Sequence, residues 1–240
     1  MSTKIEWTEN TWNPVTGCTK ISEGCLNCYA EKMANRLYNM GVENYRNKFE
    51  VTIHEHMIND PQKIKKPKMI FVNSMSDLFH EDIPIDFIKR IFNTMNRCPQ
   101  HTFQILTKRS ENMLRIIEQV TLTKNIWLGV TIENNRVSYR MNDLLKVNAY
   151  VKFISFEPLL ENINNIDLTG IDWAIVGGES GPNARVIEEN WILNIKEACK
   201  KSKTPFFFKQ WGGVNKKKNG RILQGRTWDA IPNVISTSLA

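Results

Sequence analysis

No run of about 18 consecutive apolar residues occurs in the sequence, so no membrane-spanning helix is expected. The opening decapeptide, MSTKIEWTEN, has no apolar core and does not read as a secretory signal. Low-complexity segments and repeats of fixed period are absent. With 41% apolar and 24% charged residues, disorder, a collagen-like chain and a coiled coil are excluded. Cysteine is sparse and odd in number, 5 in 240 residues, so not all of it can pair within the chain. These features point to a reducing cytoplasm, where clustered cysteines more often bind metal or do redox chemistry than form disulfides. The formal charge of +7 would suit DNA, RNA or a nucleotide but names no partner.

Short apolar runs alternate with amphipathic stretches. Strands are expected at 70–75, 103–107, 126–132, 152–156, 172–177 and 205–209. Most are unbroken apolar runs, as in strands buried on both faces. A helix is expected over 26–40, carried by Leu26, Tyr29, Ala30, Met33, Ala34 and Leu37 and capped by Gly41. Others follow Pro84, an N-cap at Ser110, and Asn190, with a weaker one at 136–147. The alternation implies right-handed βαβ units and a parallel sheet.

Polar residues close nearly every strand: Asn73, Ser74 and Asp77; Thr107 and Lys108; Thr131 and Glu133; Glu157; Glu179 and Ser180; Lys209 and Gln210. An open sheet uses mainly the ends at its switch point. A barrel gathers all of them at one mouth, so the pattern favours a barrel. The expectation is an α/β chain with a partial (β/α) barrel of about six parallel strands. Residues 1–213 would form the barrel with its cysteine loop, and 214–240 a covering tail of the same domain.

Cys18, Cys25 and Cys28 stand in the spacing C-x6-C-x2-C on a glycine-containing loop running into the first helix. Soft thiolates suit an iron–sulfur cluster or zinc. Three of them leave a fourth position open, on zinc for His54, His56 or water. Cys98 and Cys199 fall late in helical patterns and read as buried structural thiols. Most of the seven tryptophans read as core. The tracts 63–68 (KIKKPK) and 216–218 with Arg221 suit phosphates or simple solvation.

The blocks IEWTENTWNPVTGCTKISEGCLNCYAEKMANRL, FVNSMSDLFHEDIP, FQILTKRSENM, WLGVTIENN, SFEPLL, DWAIVGGESGPNAR, PFFFKQWG and GRTWDAIP follow in order over nearly the whole chain. Together they resemble a phage-associated three-cysteine family, a domain of otherwise unknown function. That family is similar, more distantly, to radical S-adenosylmethionine (SAM) enzymes of the spore photoproduct lyase branch. The resemblance implies a radical SAM-like, TIM-barrel type of fold. It implies a [4Fe-4S] cluster on Cys18, Cys25 and Cys28, with SAM on the open iron. It also implies an electron donor and a 5′-deoxyadenosyl radical acting on a nucleic acid or nucleotide.

By the same resemblance Lys108, Ser74 and, more weakly, Thr131 would contact SAM. Asp77, Glu157, Glu179, Lys209 and Gln210 would line the substrate side of the mouth, with Glu157, Glu179 and Lys209 the catalytic candidates. Simpler roles exist: a rim ion pair for Lys108, a helix cap for Glu157, packing for Lys209. Three departures stand out. The superfamily spacing is C-x3-C-x2-C, and the Gly-Gly-Glu at Gly177–Glu179 lies on the fifth expected strand, whereas the SAM-amine motif follows the second. No cysteine ends strand 70–75, so the lyase's hydrogen-atom donor is absent and its repair reaction is not implied. Competing readings are a non-enzymatic iron–sulfur or zinc module that binds nucleic acid, and a zinc hydrolase. The hydrolase lacks a convincing general base beside a His-rich site.

Overall fold

A computed structural model of the chain describes residue 3 and residues 5–233. Among the described residues nine strands form in chain order: β1 (Asn10–Trp12), β2 (Val15–Thr16), β3 (Thr52–Ile53), β4 (Met69–Val72), β5 (Thr102–Thr107), β6 (Ile126–Thr131), β7 (Val151–Phe156), β8 (Trp173–Gly177) and β9 (Phe206–Gln210). Seven make one parallel sheet in the order β1-β4-β5-β6-β7-β8-β9, and β2 pairs with β3 antiparallel. Each strand of the large sheet lies beside the next one in the chain. A doubly wound sheet would reverse its order at a switch point. This one does not, and its end strands stay unpaired with each other, so it is a half-barrel of seven parallel strands.

The sheet gains one strand over the expected six. Strand β1 has only three residues, two of them polar, and sequence periodicity cannot see so short an element. Strand β4 ends at Val72 rather than at position 75, because Asn73 turns to a left-handed φ of 57°.

Among the described residues six α-helices accompany the strands: α1 (Tyr29–Asn39), α2 (Ile85–Asn96), α3 (Ser110–Ile117), α4 (Tyr139–Leu145), α5 (Glu189–Ser202) and α6 (Lys216–Asn219). Helix α1 is capped as expected. Gly41 has φ 72°, and the Val42 N–H donates to the Leu37 carbonyl at 3.1 Å. At α3 the expected N-cap is corrected. Ser110 is already the first helical residue, and its hydroxyl donates to Asp143 Oδ2 at 2.7 Å. Within the expected covering tail, Lys216–Asn219 form the short α6.

The two sheet faces carry different side chains, as a period of two requires. Ile70, Phe103, Leu128, Ile154, Ala174 and Phe206 face the helices and join the main core. Phe71, Trp127, Phe153, Trp173, Ile175 and Phe207 face inward and form a second cluster around Trp7. Toward the C-terminal end this inner series turns polar: Trp127–Gly129–Thr131 on β6, Phe153–Ser155–Glu157 on β7, and Phe207–Lys209 on β9. Aromatic rings thus fill the lower half of the half-barrel, and small or polar groups leave the upper half open.

Residues after α6 cover the exposed side of β9. The Phe208 N–H donates to the Trp228 carbonyl at 2.8 Å, and Arg221 donates to the Lys209 and Phe208 carbonyls. Trp228 is itself held between Lys196 and Arg226, 3.7 and 3.6 Å from its ring centre. Residues 234–240 of the expected tail lie outside the described residues. Cys98 and Cys199 are buried, 1% and 2% exposed, as expected. No helix among the described residues is long and apolar enough to cross a membrane.

Gly129 pairs in register with Phe153, and a Cβ there would fall 2.5 Å from that ring. Gly129→Ala is therefore expected to destabilise the fold by about 1–3 kcal/mol, read from the urea midpoint.

Candidate cysteine-loop site

The loop bearing Cys18, Cys25 and Cys28 leaves β2 through Gly17 and enters α1 directly after Cys28. Gly17 has φ 84°, and a Cβ there would lie 2.1 Å from the Glu50 carbonyl oxygen, so the turn requires glycine. The Gly17 N–H donates to the Met75 carbonyl and the Cys18 N–H to the Phe49 carbonyl, at 3.0 and 3.1 Å. A turn of 3-10 helix over Glu23–Cys25 completes the loop. The three thiols are half-buried, and all five cysteines are free.

Four strand ends grip this loop. After β5, Arg109 donates to Thr19 Oγ1 at 2.8 Å, the Thr19 carbonyl at 3.2 Å and Cys18 Sγ at 3.4 Å. The same guanidinium meets Glu81 at 2.8 Å and Asp77 at 3.5 Å. After β6, fully buried Glu133 accepts from the Ser22 hydroxyl and from Arg140, the latter at 2.9 Å. Gly24 rests on the same carboxylate, where a Cβ would come within 3.0 Å. After β8, Glu179 accepts from Asn27 at 2.9 Å and from Arg185 at 2.6 and 3.0 Å. After β4, the Ser74 carbonyl accepts from the Tyr29 hydroxyl.

Burial pushes the Cys18 thiol up to about 11, with the Asp77 charge adding and Arg109 opposing. At Cys25 burial also opposes ionisation. There the Lys108 charge and hydrogen bonds from the Ile21 and Ser22 backbone outweigh it, and the thiol lies below its ordinary value. Among the described residues, no three His, Cys, Asp or Glu side chains gather closely enough to hold a single metal ion. His54, one of the candidate zinc ligands, is buried and within 2.8 Å of Thr16 Oγ1.

Between the loop and the upper half of the sheet lies a cavity of about 590 Å³. Cys28 and Tyr29 line it from the loop, and Lys108, Thr131, Ser155 and Glu157 from the sheet. Trp7, Phe71 and Leu106 line its apolar part. Lys209 donates to Glu157 Oε1 at 2.5 Å across β8.

Of the residues singled out by sequence, Cys28, Lys108, Thr131, Glu157, Glu179, Lys209 and Gln210 line the cavity. Ser74 and Asp77 do not. Asp77 is buried and accepts from the Thr107 hydroxyl and the Lys108 and Phe79 N–H groups, so its oxygens fix the turn after β5 instead of facing a ligand. The Ser74 hydroxyl donates to Asn13 Oδ1 at 3.2 Å. Glu179 touches the cavity, yet both its oxygens are engaged by Arg185 and Asn27, which makes it a positioning group. Sequence reasoning missed Arg109, Arg140 and Arg185. Only Arg109 carried a signal, two residues past the end of β5; Arg140 lies on α4 and Arg185 in the loop before α5, away from any strand end.

Comparison with known proteins adds a family. The model described as Protein of unknown function (DUF5131) matches residues 2–232. The chain belongs to this family. No curated protein matches it. Among solved structures this family member is similar to spore photoproduct lyase complexed with dinucleoside spore photoproduct, at 12% identity and a TM-score of 0.48, covering 84% of this chain and 63% of that one. A double mutant of the lyase with bound AdoMet and the dinucleoside spore photoproduct gives 12%, 0.48, 81% and 62%. A single mutant gives 12%, 0.49, 85% and 64%. The chain therefore spans less than two thirds of the length of these structures.

Two outcomes test the grip on the loop. Glu133→Ala leaves Arg140 buried without its partner and is expected to cost about 3–5 kcal/mol in urea unfolding. Despite burial, the Arg185 and Asn27 hydrogen bonds hold the Glu179 carboxyl below its ordinary value. The stability it contributes is fully present above the unfolded carboxyl's pKa and is lost as pH falls through the lower folded one. The stability gap between wild type and Glu179→Gln should therefore be widest at neutral pH and shrink on acidification toward pH about 3.

Proposed function

We propose that this chain is a radical SAM-type enzyme that holds a [4Fe-4S] cluster on Cys18, Cys25 and Cys28 and acts on a nucleic acid or nucleotide. The observation that carries the reading is the place of the three-thiol loop. It is pinned across the C-terminal mouth of a parallel half-barrel, and through Cys28 it opens onto the cavity. Barrel active sites lie at that mouth. The motif blocks, which resemble a three-cysteine family distantly similar to radical SAM enzymes, support the same reading.

The donor set fits a cluster. Three soft thiols share one rigid loop, and cations stand beside two of them, Arg109 at Cys18 and Lys108 near Cys25. A mononuclear zinc, with Zn–S bonds of about 2.3 Å, would need its ligands drawn together more tightly than any three such side chains among the described residues. A cluster is several ångströms across and keeps its ligands farther apart. When bound, cluster and SAM supply one-electron cleavage of SAM to a 5′-deoxyadenosyl radical, with the electron coming from an external donor.

The remaining work falls to this chain's residues. The Lys108 ammonium faces the cavity where a carboxylate can pair with it, and the Thr131 hydroxyl is two strand ends from β4 on the same wall. The Glu157–Lys209 pair offers a substrate one acceptor and one cation at fixed positions. Trp7, Phe71 and Leu106 keep water from the lower wall. The +7 charge suits a polyanionic substrate.

Anaerobic reconstitution with iron and sulfide should give a brown protein with about four irons per chain. It should cleave SAM to 5′-deoxyadenosine once reduced. The Cys18/Cys25/Cys28→Ala variant should stay colourless, and Lys108→Ala should weaken SAM binding at least about tenfold. A cluster-loaded protein that binds nucleic acid in a salt-dependent way and never cleaves SAM would replace the enzyme with a binding module.

A further inference from the structure

Helix α1 packs on the body of the protein through small side chains and leaves its large ones outside. Ala30 and Ala34 are buried beside Met75. Tyr29, Met33 and, at the helix end, Met40 are 51%, 41% and 64% exposed. With Lys32 and Arg36 they keep the three- and four-residue spacing of one helix face. Single exposed apolar residues are ordinary, but an aligned row of them marks a surface that meets a ligand or partner.

This row is continuous with the cavity. Tyr29, Lys32, Met33 and Arg36 line it, and Met40 lies beyond its lining. Lys32 and Arg36 stand one and two turns past Cys28, and the row runs roughly 16 Å along the helix. The Tyr29 hydroxyl donates to the Ser74 carbonyl, which fixes the ring while more than half of the residue stays exposed.

Charge narrows the occupant. The only carboxylate of α1, Glu31, lies off this face and pairs with Lys20 at 2.8 Å. Among the described residues Lys32 and Arg36 pair with no carboxylate. Lys32 donates to the Pro182 carbonyl at 3.1 Å, which leaves two of its N–H groups for a ligand. Of the carboxylates lining the cavity, Glu157 and Glu179 are already matched by Lys209 and Arg185, and Glu6 stands in the segment before β1. Cations in a row with exposed apolar groups suit a chain of phosphates that carries flat apolar rings. Phosphates pair with guanidinium and ammonium groups, and unpaired bases cover an aromatic ring or a thioether. A duplex hides those base faces.

We infer that the α1 face from Tyr29 to Met40 is a track for single-stranded nucleic acid leading into the cavity. Phosphates lie on Lys32 and Arg36, and bases lie over Tyr29, Met33 and Met40. That the strand is the substrate rests on the radical SAM reading, but the binding itself does not.

Fluorescence anisotropy of the anaerobically purified full chain with labelled single-stranded DNA and RNA of about 12 nucleotides tests the track. At least one of them should bind with micromolar Kd or tighter in about 0.1 M salt, and more tightly than a duplex of the same sequence. Lys32→Ala with Arg36→Ala should weaken that binding about tenfold or more and reduce the slope of log affinity against log salt by about one to two. Met33→Ala with Met40→Ala should weaken it about three- to tenfold with the slope unchanged. Lys65→Ala with Lys66→Ala removes the same charge from another exposed stretch and should change affinity less than about twofold. All these side chains are exposed, and urea midpoints matching wild type show that the variants are folded.

Absence of binding, an equal loss in the Lys65/Lys66 variant, or a duplex bound as tightly as the single strand overturns the inference. So does a dimer in sedimentation that the methionine variant converts to monomer, which gives the face to a second copy of the chain. SAM cleavage by a protein that binds no strand defeats this inference alone. Strand binding that depends on Lys32 and Arg36, in a protein that never cleaves SAM, supports it and defeats the radical SAM reading.

Discussion

The cysteine loop keeps its position because arginine–carboxylate pairs at the rim of the half-barrel are taken out of water together. Glu133 with Arg140 and Asp77 with Arg109 are almost wholly buried, and Glu179 with Arg185 is half so on the arginine side. A buried charge without a partner is far more costly than a paired one. Each pair therefore has one acceptable arrangement, and in each the loop contributes a further donor or acceptor: Ser22 at Glu133, Thr19 and Cys18 at Arg109, Asn27 at Glu179. These pairs add geometric definition more than net stability, since well-packed apolar residues could match their energy. What apolar residues could not do is point hydrogen bonds at a backbone with little regular structure of its own.

Below the rim the constraint is steric. Alternate residues of each strand face inward, and on β6, β7 and β9 the inward series runs from large rings to small or polar groups as the strand rises. The cavity exists because that change happens at one level on these strands. The outward series is mainly apolar, with Phe103, Leu128, Ile154, Phe156 and Phe208 among it, and packs on the helices. Two apolar faces on one strand read in sequence as a single apolar run, which is the signature of strands buried on both sides.

That signature made the central sheet legible. Strands β5 to β9 fall where apolar runs place them, and monotonic pairing gives the expected partial barrel as a half-barrel of seven strands. Strand β1 and the β2–β3 pair were not legible, because two- and three-residue elements exist only through partners some 36–60 residues away in the chain. At the site, residue type and proximity to a strand end identified Lys108, Thr131, Glu157 and Lys209 as wall residues. The same criterion misplaced Asp77, since a strand end shows that a carboxylate is near the mouth but not which way it faces. Direction is set by the partner, and Arg109 lies 32 positions further on. Ser155 and Trp7 escaped notice because a serine inside an apolar strand and a tryptophan near the start look like packing.

The six residues between Cys18 and Cys25 acquire a meaning in this light. Thr19, Ser22, Glu23 and Gly24 all lie in that interval, and all of them touch the rim or the loops just beyond it. The longer spacing is thus not slack in a tether. It is where the tether is tied, so the ligand loop and the barrel mouth have to change together over evolutionary time, and an insertion or deletion there is a change of architecture rather than of length.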